Sequence, residues 1–172
     1  DEIWKTTEEI STDVVVFGSL QNAKAKARML WDEEYLYVLA IITDPVLNKD
    51  NTNPWEHDSF EIFIDENNEK TTSYQEDDSQ FRVNYLNEQS YGTGASPERF
   101  KTVVKLIEGG YLIEAAIKWK TIKPVHNTIV GFDIQVNDAS AQGRRVGVRK
   151  WCDPTDDSWQ NTSKLGNLRL ID

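Results

Sequence analysis

The sequence predicts an all-β protein, an antiparallel β-sandwich of jelly-roll-like character built as a single domain. Three observations predict it. About ten short segments alternate apolar with polar residues, or run through β-branched and aromatic ones. Gly, Pro, Asn and Asp punctuate them at fairly even spacing. No stretch carries the apolar periodicity of an amphipathic helix, so sheet packed on sheet is the way left to bury a core. At 172 residues the chain is long enough to bury a sizeable one.

Taken in order, Trp4 and Ile10 read as cover for one edge of that core. Residues 14–17 (VVVF) read as a buried strand stopped by Gly18. Residues 23–31 set Lys24, Lys26 and Arg28 between alanines and larger apolar residues. Helix propensity competes there, but the alternation favours a strand, and 35–42 (YLYVLAII) is its hairpin partner across the turn at 32–34. A long polar loop follows over 44–58, with Pro45 and Pro54, and its length predicts a binding loop rather than a plain connection. Residues 60–65 form a central strand and 66–78 an acidic turn region. Residues 80–86 alternate again, before a loop marked by Gly92, Gly94 and Pro97. Residues 100–107 and 111–118 flank Glu108-Gly109-Gly110, a hairpin signal. A crossover at 119–124 leads to strands at 129–136 and 146–151, a Pro-containing loop, and a closing strand at 168–171.

The formal net charge is −10, from 19 basic and 29 acidic residues. That balance excludes nucleic-acid backbones and anionic membranes as partners, since both are gripped mainly by Lys and Arg. It suits a neutral polar ligand and leaves room for calcium. No apolar run approaches membrane-spanning length. Cys152 is the single cysteine, so neither a disulfide framework nor a cysteine-based zinc cluster is expected. No leader segment is visible, which fits a cytosolic chain or an excised module of a secreted protein.

Function is carried by one stretch, Asn53-Pro54-Trp55-Glu56-His57-Asp58 and the strand after it. Period-two alternation puts Phe60, Ile62 and Ile64 on one face and Glu61, Phe63 and Asp65 on the other. Two more strands place Arg82 and Gln135 at comparable positions, with Asn84 and Asn137 one pleat step along. A forked donor, an acceptor pair and an amide on one shared face suit vicinal hydroxyls. The competing reading is an ordinary solvated sheet face. A second polar loop, Asp153-Pro154-Thr155-Asp156-Asp157-Ser158-Trp159, resembles the first in carrying an aromatic. Exposed tryptophans at Trp55 and Trp159 need a partner, and two such loops would clamp both faces of a pyranose ring. Trp31, Trp119 and Trp151 lie in or beside strands and read as core.

On WEHDSFEIFIDENN, QFRVNYLNE, RFKTVVKLIEGGYLIEAAIKWKTI, GFDIQVNDA and DPTDDSWQNTSKLGNLRLID the chain resembles the family 9 carbohydrate-binding modules. The resemblance covers the whole chain and is closest to the C-terminal module of family 10 xylanases from thermophilic bacteria. It implies a non-catalytic β-sandwich, secreted as part of a modular glycoside hydrolase and tethered as a monomer to a catalytic domain. It further implies binding of cellulose and xylan reducing ends, cellobiose and glucose. The sandwiching tryptophans fall on Trp55 and Trp159, and the hydrogen-bonding residues on Glu61, Arg82 and Gln135. Asp156 stands where an asparagine is expected, with Arg145 a further candidate there. The first strand of the family is missing, which leaves one sheet edge open to question.

The resemblance also implies structural calcium, for which the acidic loop offers Asp44, Asp50 and Asp58. Two other functions compete. A glycosidase needs two carboxylates in different protonation states, whereas Glu61 beside Arg82 should stay ionised. A haem-binding redox sandwich would need Met and His ligands, and only Met29, His57 and His126 exist; Met29 reads as core filler.

Overall fold

The computed structural model describes residues 2–171, and it is a sandwich of two antiparallel sheets. In chain order the strands are β1 (Glu9–Ser11), β2 (Val14–Phe17), β3 (Lys24–Trp31), β4 (Tyr35–Thr43), β5 (Ser59–Asp65) and β6 (Asp78–Asn84). They continue as β7 (Gln89–Tyr91), β8 (Phe100–Ile107), β9 (Gly110–Lys118), β10 (Ile129–Ala139), β11 (Arg145–Lys150) and β12 (Gly166–Arg169). The first sheet has five strands in the order β1-β3-β4-β9-β8. The second runs β2-β11-β10-β5-β6-β7, with β12 also pairing β10. Beside β10, β12 fills the edge along Ile129–Phe132 and β11 takes over from Gln135.

Alternation decides which side chains meet between the sheets. Ala25 and Ala27 of β3, Leu36, Val38, Ala40 and Ile42 of β4, and Ile113 and Ile117 of β9 point inward. They face Phe60, Ile62 and Ile64 of β5, Phe81 and Val83 of β6, and Phe132, Ile134 and Val136 of β10. Burying each large apolar side chain contributes about 1.5–3 kcal/mol, so this interface is the main source of stability.

A strand forms at each of the ten expected places, though the closing one runs Gly166–Arg169 rather than 168–171, and two short ones join them. β1 stands at the edge of the first sheet beside β3, with Ile10 packed against the core, and Trp4 is buried in a 3-10 turn, Glu2–Thr6. β7 lies where a loop was expected. The strand at Val14–Phe17 is half-buried rather than buried, because β2 sits at the edge of its sheet. Trp119 is buried, while Trp31 and Trp151 pack against the core from its rim.

Every residue of β5 is buried, on both faces. One face belongs to the core; the other is covered by loops, and there the polar residues sit.

Candidate functional site

Strand register assembles the polar face. Glu61 stands directly opposite Arg82 on one side and Gln135 on the other. The same row continues to Ser90 of β7 and Lys150 of β11, so one line of polar side chains crosses five strands. The face is therefore neither solvated nor apolar: Glu61, Arg82, Gln135, Asn84 and Asn137 are all buried.

Buried polar groups must find partners, and these do. The Glu61 Oε1 accepts from Arg82 Nε at 2.7 Å and from Asn137 Nδ2 at 2.8 Å; its Oε2 accepts from Gln80 Nε2 at 2.7 Å. Gln135 Nε2 donates to Asn137 Oδ1 at 2.7 Å, and Arg82 Nη1 to Ser90 Oγ at 3.1 Å. Burial alone would raise the Glu61 carboxyl, but the Arg82 charge and the donated bonds outweigh it and hold it below the usual range. Glu61 is a fixed anion.

Two loops rise over this floor. Trp55 sits in the 3-10 turn Pro54–Glu56, started by the proline and anchored where Glu56 Oε2 accepts the Arg145 backbone N–H at 2.7 Å. Trp159 is held through Lys150, which is fully buried. Its ammonium donates to Thr155 O at 2.6 Å and to Ser158 Oγ at 2.7 Å, and lies 5.3 Å from the Phe63 ring centre. Ser158 in turn donates to Asp153 Oδ2 at 2.6 Å, and Tyr74 to Ser158 O at 2.5 Å. Trp55 and Trp159 remain 44% and 52% exposed, although the residues around them are tied down. Arg145 and Asp156 form an ion pair at 2.7 Å, and Arg145 also donates to Asn137 Oδ1 at 3.2 Å.

Together these surround a cavity of about 430 Å³, the size of a small-ligand pocket. Trp55, Trp159, Glu61, Arg82, Gln135, Asp156 and Arg145 all line it. Sequence reasoning missed Phe63, Gln80, Tyr91 and Gly92, which complete the lining. Gln80 has the same strand parity as Arg82 and was legible on that ground. Gly92 was not: a Cβ there would stand 2.0 Å from Gln80 Oε1, so glycine is what lets the amide reach Glu61.

A family model described as carbohydrate family 9 binding domain-like matches residues 1–172. The chain belongs to carbohydrate-binding family 9. It is a non-catalytic binding module rather than a catalytic domain. Endo-1,4-beta-xylanase A of Thermotoga maritima is 71% identical over 172 residues, which is 99% of this chain but 16% of that protein. A family 9 module from Caldicellulosiruptor kristjanssonii, solved in complex with cellotriose, superposes with a TM-score of 0.93 at 40% identity, covering 99% of this chain and 86% of that one. Its glucose complex superposes at 0.92, also at 40% identity, covering 99% and 87%.

The acidic loops hold two further clusters. Carboxylate oxygens of Asp44, Asp58 and Asp138 lie within 4.8 Å of one another, as do those of Asp65, Asp77 and Asp78. Asp44 and Asp58 were expected together. Asp50 is not part of the cluster: it is exposed and accepts from Asn48 Nδ2 at 3.1 Å, and the third corner is Asp138, beside the register shift in β10. The donor chemistry fits a hard cation. Asp44 Oδ2, Asp78 Oδ1, Asn68 Oδ1 and the Tyr111 hydroxyl are buried without a hydrogen-bond partner. Burial, with Asp44 nearby, pushes the Asp58 carboxyl up to about 8, and Asp44 is raised by its own burial. Crowded, desolvated carboxylates with vacant lone pairs are what calcium relieves.

Of the haem candidates, Met29 packs against the core and His57 Nε2 is bonded to Asn51 O at 2.6 Å.

Proposed function

We propose that the cavity binds one terminal sugar ring of a β-1,4-linked glucan or xylan, with Trp55 and Trp159 against its two apolar faces. The supporting observation is the combination of two exposed, anchored tryptophans with a buried polar floor in which Glu61 is satisfied by three side-chain bonds. Aromatic faces supply contact area at low entropic cost, and the floor supplies fixed donors and acceptors for hydroxyls. Arg82 and Gln135 read the hydroxyls, with Glu61 as the anion that holds them. The ligands include cellobiose and glucose, in line with the cellotriose and glucose complexes of the module from C. kristjanssonii.

Selecting a reducing end requires a wall that stops a continuing chain. The Arg145–Asp156 pair is the candidate wall, because it is charged and tied to Asn137. The module is secreted as a monomeric part of a xylanase and brings that enzyme to plant cell-wall polysaccharide, as expected of a chain that matches a 16% portion of such proteins. Asp44, Asp58 and Asp138, and separately Asp65, Asp77 and Asp78, would each hold a calcium ion, whose positive charge would offset the crowded carboxylates there.

The test is isothermal titration with cellobiose and with its borohydride-reduced form, cellobiitol. Binding of the first and loss with the second is expected. Equal binding of both would overturn the assignment to chain ends, and binding of neither would overturn the sugar site.

A further inference from the structure

The sugar cavity lies on the second sheet. The outer face of the first sheet, made by alternate residues of β3, β4, β9 and β8, has a chemistry of its own. It carries Lys24, Lys26 and Arg28 from β3, Lys101 and Lys105 from β8, and Lys118 from β9. Only Glu9 and Glu114 oppose them on the strands of that face; the nearby acids Asp32, Glu33, Glu34 and Glu108 sit in the hairpin turns at its two ends. In a chain of net charge −10 an outward sheet face should be acidic. This one is basic.

Lys26 and Arg28 are engaged by Glu9 at 2.8 and 3.2 Å. Lys24, Lys105 and Lys118 make no ion pair among the described residues, and all three are exposed. Register makes Lys101 and Lys118 diagonal neighbours, because Lys101 pairs with Ala116. Such neighbours stand roughly 7–8 Å apart, where like charges repel unless an anion sits between them. Beside them the Tyr35 and Tyr37 rings lie 5.9 Å apart, partly buried, with the Lys101 ammonium 5.3 Å from the Tyr35 ring centre and the Tyr37 hydroxyl donating to Asp32 Oδ2 at 2.7 Å. Tyr37 faces Ala116 across the strand pair, which leaves the floor beside the rings low and flat.

We infer that this face binds a sugar polymer bearing carboxylates, specifically xylan substituted with glucuronate, the tyrosines taking ring faces and the unpaired lysines the uronate groups. The choice of polymer rests on the proposed polysaccharide function; the charge and the aromatics do not. A dense polyphosphate is disfavoured by the long-range field of the acidic remainder of the molecule, whereas widely spaced carboxylates on a neutral chain match a few separated lysines.

The test is native affinity electrophoresis of the chain through gels containing glucuronate-substituted xylan, with cellobiose saturating the cavity. Retardation is expected; carboxyl-reduced xylan should lose it, added salt should weaken it, and Lys101→Ser/Lys105→Ser/Lys118→Ser should weaken it about tenfold. The triple variant should bind cellobiose unchanged, which shows its fold is intact, and Trp55→Ala should weaken cellobiose binding but keep the retardation. Undiminished retardation of the triple variant, equal retardation by carboxyl-reduced xylan, or equal retardation by DNA would overturn the inference. A wild type that ignores cellobiose yet is retarded through these lysines would overturn the cavity assignment and leave this face standing.

Discussion

Replacing Lys150 by methionine separates the support of the Trp159 loop from the loop itself. The ammonium is fully buried, bonded to Thr155 O and Ser158 Oγ, and lies 3.6 Å from Asp153 Oδ2. Methionine keeps the length and packs on Phe63, but leaves Asp153 and Asp133, both buried, without their cation. Breaking a buried pair in this way costs about 3–5 kcal/mol. The desolvation of Lys150, which lowers its own pKa, offsets part of that. A net loss near 3 kcal/mol lowers Tm by roughly 6–12 °C for a chain of this size. Residues 155–159 also lose their tether, and re-ordering even one or two of them on binding costs about 1–2 kcal/mol each. Cellobiose affinity should then fall roughly tenfold to a hundredfold. Calorimetric unfolding and titration with cellobiose measure the two effects on one sample. A variant that melts early yet binds cellobiose as before would refute the idea that Lys150 holds the tryptophan loop in place.

Trp55→Ala should leave Tm nearly unchanged, because the side chain is already 44% exposed, while affinity falls by about 1.5–3 kcal/mol from the lost apolar contact, as read by titration. Cellobiose affinity should be flat from neutral pH down to the ordinary glutamate value of 4.5. The folded Glu61 carboxyl sits below that value, so its contribution is present above 4.5 and disappears only as pH falls through the lower, folded value; an affinity loss centred above 4.5 would contradict the ion pair with Arg82. Chelation should lower Tm, and the metal-free protein should lose stability as pH rises from about 4 to about 8. In that window folded Asp58 holds a proton that the unfolded chain releases, so the slope is negative and at most about 1.4 kcal/mol per pH unit; calcium should remove it, as thermal scans with and without the metal would show. Arg82→Lys should keep the charge beside Glu61 but lose the fork, weakening binding more than stability, which paired titration and unfolding would check.

How much of this was legible in the sequence differs by element. The alternation of Phe60, Ile62 and Ile64 with Glu61 and its neighbours identified β5 and its core face, because period two belongs to a strand whatever surrounds it. It could not decide whether Glu61 faces water or a cavity, since both give the same pattern; the cover over that face is completed by the 153–159 loop, distant in sequence. β7 has three residues and no periodicity to read, and Tyr91 was missed with it. Asp50 and Asp138 show the same limit. Proximity in sequence put Asp50 with Asp44 and Asp58, but a loop residue two positions from Asn48 turns its carboxylate to that neighbour. Asp138 arrives from another strand, held by the Asn22 side chain and the Ala23 backbone N–H, and only the folded register brings it there.

The hydrogen bonds of the floor also divide the labour among its residues. Glu61 accepts three side-chain bonds and is 2% exposed, so little of it is left for a ligand. Arg82 Nη2 and Gln135 Oε1, by contrast, have no hydrogen-bond partner among the described residues and belong to side chains that line the cavity. One is a donor with fixed direction and the other an acceptor, standing on strands either side of Glu61. Glu61 is therefore best understood as the group that orients Arg82 and, through Asn137, Gln135. Because the bonds around Glu61 are in place before any sugar arrives, binding does not have to reorganise them, which lowers the cost of association.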